Sequence, residues 1–138
     1  MSRTEAWLCH AANLLVVGTG LVYAWFRYFA RPVDELAIVH PWSSPAQHAH
    51  VLAAPLLIFA LGLVVRGHVV AGLRLGIRER RRSGLLLVAG ALPMVLSGSL
   101  IQVAIEPAWR RAWVVVHLAA SGLWLAATVA HQLSSRRR

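Results

Sequence analysis

Four apolar stretches, each close to the ~20 residues a helix needs to cross a bilayer core, constrain this chain more than anything else in it. They run from about Trp7 to Tyr28, Ala46 to Val65, Leu85 to Ile105 and Ala112 to Leu133. Of 138 residues, 58% are hydrophobic and the mean hydropathy is +0.61, too apolar for an ordinary small soluble domain. The expected fold is all-α, an integral membrane four-helix transmembrane bundle forming a single membrane domain over residues 1–138. No signal-peptide cleavage site follows the first stretch. It holds His10 and Asn13 and ends in the aromatic set Tyr23, Trp25, Phe26, Tyr28 and Phe29, which reads as an interfacial anchor, so it is expected to remain a transmembrane helix.

The net charge of +9 belongs to the loops rather than to a nucleic-acid face. All basic residues are arginines beside or between the apolar runs, without the aromatic-interleaved surface that single strands require, so no nucleic-acid partner is expected. One side of the membrane would hold Arg3, Arg66, Arg74, Arg78, Arg80, Arg81, Arg82, Arg136, Arg137 and Arg138, the other only Arg27, Arg31, Arg110 and Arg111 with Asp34, Glu35 and Glu106. The positive-inside rule then predicts a multi-pass protein of a bacterial inner membrane with both termini cytoplasmic. The basic inner segment, interrupted by Glu79, also suits contact with anionic membrane lipid. The single cysteine, Cys9, excludes an internal disulfide and a multi-cysteine metal cluster within the chain.

Against this apolar background the histidines stand out. His117 and His131 are fourteen residues apart, a rise of about 21 Å with only about 40° of rotation around a helix. One helical stripe can therefore carry an iron ligand near each membrane face, and imidazole is a suitable axial ligand for haem. Ionisable residues inside a span are usually functional. With the fourth segment entering from outside near Ala112, His117 is expected about five residues deep; His50 matches it on the second segment, and His10 on the first is level with His131. Two pairs emerge, His50 with His117 outside and His10 with His131 inside.

Alternatives stay open at two of these positions. His48 is two residues from His50, about 200° around the helix, and can replace it but not share its site. His68, eighteen residues after His50, lies on the same ideal face about 27 Å away and could substitute for His10 as the inner ligand. His40, in the turn-rich stretch His40 to Pro45, carries no assigned role. Gly18-Thr19-Gly20 lies in an apolar span and is no nucleotide loop. Glycines along the spans suit close helix approach, and Pro55 and Pro93 are expected to kink their helices.

His10, His50 and the His117/His131 pair together resemble the ligand pattern of the two-haem membrane cytochrome b subunits of formate dehydrogenases and nickel–iron hydrogenases, and more loosely of cytochrome b561-type proteins. The resemblance implies two haem b groups, ligated by His131 with His10 and by His117 with His50. It further implies an electron-transfer subunit of a quinone-linked oxidoreductase complex, with a redox partner outside and a quinone or other partner inside, near polar residues such as Asn13. The chain is shorter than this pattern and offers two candidates at the outer position of its second helix. Two haem-free readings compete with it: a proton- or ion-relay transporter, and a structural anchor subunit.

Overall fold

The structure, a computed structural model, describes residues 2–33, 36–76 and 81–136, giving only the backbone of 82 and 134–136. Among the described residues there is no strand, and the element order is α1 (Arg3–Tyr28), α2 (Ser43–Val64), a π-helical segment (Val65–Val70), α3 (Ala71–Arg74), α4 (Arg81–Val103) and α5 (Pro107–Arg136). Four stretches, Arg3–Tyr28, Ser43–Arg74, Ser83–Val103 and Pro107–Leu133, are long and apolar enough to cross a membrane. The exposed surfaces of these helices carry large apolar side chains such as Leu14, Leu52, Leu92 and Leu123. A water-facing helix would present polar groups there; these suit contact with lipid.

Local chemistry sets the ends. At α1 the Ser2 hydroxyl accepts from the Glu5 amide and the Glu5 carboxylate accepts from the Ser2 amide, a reciprocal cap that satisfies two of the otherwise unpaired amides of the first turn. Pro32 follows the end of α1, where the Phe29 and Ala30 amides both donate to Trp25 O. Pro45 in the first turn of α2 and Pro107 at the start of α5 occupy positions where a missing N–H costs no helical bond. Gly76, with φ 68°, closes α3 in the left-handed conformation that glycine adopts without strain.

Two compact units divide the chain, Met1–His68 and Val69–Arg138. Each is a helical hairpin: α1 packs on α2 in the first, and α4 on α5 in the second. Aromatic rings cluster at the loop end of both, with Trp25 stacked on Phe29 at 5.7 Å and Phe26 on His40 at 4.7 Å in the first, and Trp109 on Trp113 at 6.4 Å in the second. Such rings favour the membrane–water boundary. Mostly small and medium side chains make the buried contacts, Ala12, Ala53, Leu57 and Ala60 in the first unit and Met94 and Ser97 in the second, where Trp124 is the one large exception among the described residues.

The helices outrun the apolar segments expected from sequence. α5 begins at Pro107 rather than near Ala112, and α2 at Ser43 rather than near Ala46. Hydropathy finds the lipid-spanning part of a helix, whereas Pro107 to Arg111 and Ser43 to Pro45 extend the same backbone beyond it. His117 consequently stands ten residues after the start of its helix and His50 seven. Asp34, Glu35, Arg78, Glu79, Arg80, Arg137 and Arg138, on which part of the topological expectation rests, lie outside the described residues.

Candidate functional site

In the first hairpin, half-buried His50 of α2 turns its imidazole onto α1. Its Nδ1 is 3.1 Å from Val16 O and 3.3 Å from Thr19 Oγ1. A carbonyl can only accept, so Nδ1 carries a proton and donates it in this contact. Thr19 spends its own proton on the preceding turn, donating to Leu15 O at 2.8 Å with Val16 O at 3.1 Å, and thus meets the imidazole as an acceptor. The ring lies directly over Gly20: a Cβ there would be 2.9 Å from Cε1 and 3.2 Å from Nδ1 of His50. Only a residue without a side chain allows that approach.

The second hairpin repeats this arrangement residue for residue. His117 of α5 places Nδ1 3.0 Å from Met94 O and 3.2 Å from Ser97 Oγ. Ser97 donates one turn back to Pro93 O at 2.6 Å, with Met94 O at 3.1 Å. A Cβ on Gly98 would meet Cε1 of His117 at 3.1 Å and Nδ1 at 3.3 Å. Carbonyl, hydroxyl and glycine thus occur in the same order, Val16, Thr19, Gly20 and Met94, Ser97, Gly98, each set opposite one histidine on the other arm of its own hairpin.

Further along α5, His131 is half-buried with Nδ1 2.8 Å from Ser83 Oγ. Ser83 lies fourteen residues before Ser97 just as His131 lies fourteen after His117, which antiparallel packing requires if both pairs belong to one seam. Midway on that stripe sits Trp124, 5% exposed, its indole N–H donating to Leu87 O at 3.0 Å and its ring edge passing over Gly90. Seven-residue steps keep His117, Trp124 and His131 on the face that meets α4.

The remaining candidates are less enclosed. His10, His48 and His68 are exposed. His68 falls within the π-helical segment, where the backbone takes extra residues per turn, so the ideal-helix count that set it on the face of His50 stops applying at Val65. His40 accepts from the Trp42 amide at 3.2 Å and stacks on Phe26, a loop-ordering role. Each sequence-derived pair, His50 with His117 and His10 with His131, takes one histidine from each hairpin. Among the described residues no group of three or more His, Cys, Asp or Glu side chains is placed to hold a metal ion. Asn13 Oδ1 is buried without a hydrogen-bond partner, an acceptor whose desolvation calls for a donor.

Sequence reasoning passed over Thr19, Ser97 and Ser83. The available signal was a hydroxyl–glycine dipeptide repeated at the interval of His117 and His131, Ser83-Gly84 and Ser97-Gly98. No family model, no curated protein and no solved structure matches the chain.

Proposed function

We propose that this protein is a dihaem b-type membrane cytochrome that passes single electrons across the membrane, between a redox partner on the outer face and a quinone or other partner on the inner face. The observation that carries this reading is the matched setting of His50 and His117. Each imidazole is fixed by a helix carbonyl at Nδ1, the arrangement that orients ligating histidines and leaves Nε2 as the nitrogen for iron, and each does so on a helix otherwise solvated by lipid. A histidine needed only for packing would not require the glycine that admits it twice.

The residues suit haem in donor type, neutral imidazole being an ordinary axial ligand. His50 and His117 would ligate the outer haem, and His131 with His10 the inner one, with His48 and His68 as the alternates. Bound haem b supplies the one-electron iron couple; the chain supplies ligation, about 21 Å of vertical spacing along α5, and apolar surroundings. The exposed Arg27, Arg31, Arg110 and Arg111 suit propionate groups near the outer face. On the inner side, the buried acceptor of Asn13 suits a quinol hydroxyl. Arginine asymmetry supports an inner-membrane protein of a bacterium with both termini in the cytoplasm.

A pyridine haemochrome assay on the purified full-length chain tests the proposal. Two haem b per chain are expected, with split Soret and α bands on reduction. A colourless preparation from haem-replete cells would overturn it and leave the proton-relay and anchor readings.

A further inference from the structure

We infer that Thr19 and Ser97 are positioning residues for the imidazoles of His50 and His117, and that Gly20 and Gly98 are the notches that let those rings reach them. The inference rests on the haem reading for its spectroscopic consequences, but its geometric content stands on the hairpins alone. Both hydroxyls are oriented from behind. Each donates to its own helix, Thr19 to Leu15 O and Ser97 to Pro93 O, which turns a lone pair toward the facing Nδ1 at 3.3 and 3.2 Å. The imidazole N–H is therefore shared between a carbonyl and a hydroxyl, and its ring plane is pinned at two points rather than one.

Two consequences follow for iron bound at Nε2. An acceptor at Nδ1 increases the electron donation of the ring and so favours the ferric state; removing the hydroxyl weakens that donation and raises the midpoint potential. Filling a notch has a different effect. Alanine at Gly20 puts a methyl 2.9 Å from Cε1, so the ring must shift, and alanine at Gly98 puts one at 3.1 Å, so the ring must give by a few tenths of an ångström; either displacement changes the geometry of ligation.

The test uses full-length protein with Thr19→Ala, Ser97→Ala, Ser97→Thr and Gly98→Ala substitutions. Haem content is read by haemochrome, midpoint potentials by spectroelectrochemical titration, and ligand geometry by the low-spin electron paramagnetic resonance spectrum. Ser97→Ala is expected to keep both haems and to raise one potential, with Ser97→Thr restoring the original value. Thr19→Ala is expected to raise the potential of the same haem. Gly98→Ala is expected to shift the low-field g value of one haem or to lose about half of the haem.

Unchanged potentials in both alanine variants, or wild-type spectra and occupancy in Gly98→Ala, would overturn the inference. Were Thr19→Ala and Ser97→Ala to act on different haems, the cradles would stand and the His50/His117 pairing would fall. Were the wild-type chain to bind no haem, the haem reading would fail, and nitrogen NMR of the imidazoles would decide the cradles by themselves. Nδ1-protonated rings at His50 and His117 support them, and Nε2-protonated rings overturn them.

Discussion

The hydroxyl of Ser83 lies 2.8 Å from Nδ1 of His131, so α4 braces both histidines of α5, one at each end of a four-turn interval. Because the two braces are separate, the two histidines are expected to fail separately. His117→Ala and His131→Ala should each reduce haem content by about half, with different components of the split α band missing. Loss of both haems in either variant would mean that the two sites are not independent.

Partners across the hairpins can be assigned by the same measurement. His50→Ala is expected to reproduce the spectrum of His117→Ala, and His10→Ala that of His131→Ala, while His48→Ala retains both haems. Full retention in His10→Ala together with loss of a haem in His68→Ala would transfer the inner ligand to the π-helical segment. That outcome would give the extra residues of Val65–Val70 a ligand-placing purpose.

Trp124 is expected to be the largest single contributor to the second hairpin. Trp124→Ala removes a buried indole at a cost of about 3–5 kcal/mol, and Trp124→Phe mainly removes the bond to Leu87 O, a loss of about 1 kcal/mol. Thermal unfolding in detergent, followed by circular dichroism, should rank wild type, Trp124→Phe and Trp124→Ala in that order. Equal midpoints for wild type and Trp124→Ala would show that the indole fills space without stabilising the pair.

Topology is expected to follow the arginines. Reporter fusions after Leu75 and after Arg138 should both show cytoplasmic activity. Periplasmic activity at either site would reverse the orientation and exchange the inner and outer labels of the proposed haem sites.

The four crossing helices were legible in the sequence because lipid demands long apolar runs and little else. Their ends were not: Pro45 reads as part of a turn until it is seen to sit, like Pro107, in a first helical turn, where proline is tolerated. His117 was conspicuous as an ionisable group in an apolar span. Its brace was not, since Ser97 and Thr19 are unremarkable in membrane helices, and only the antiparallel register of each hairpin shows which hydroxyl meets which ring. The fourteen-residue interval from Ser83-Gly84 to Ser97-Gly98 mirrors that from His117 to His131 and could have been noticed. Thr19-Gly20 could not, because its histidine lies across a loop of unpredictable length.

The contacts that hold His50 run from Leu15 to Gly20 and return on α2, and those that hold His117 run from Pro93 to Gly98 and return on α5. Each hairpin is thus a self-sufficient mount, in the sense a builder would use. Three small choices on one arm, a helix carbonyl, a back-bonded hydroxyl and a bare α-carbon, are enough to aim an imidazole carried by the other. The same mount could be written into any antiparallel pair of lipid-soluble helices, one turn of sequence for each ring to be aimed.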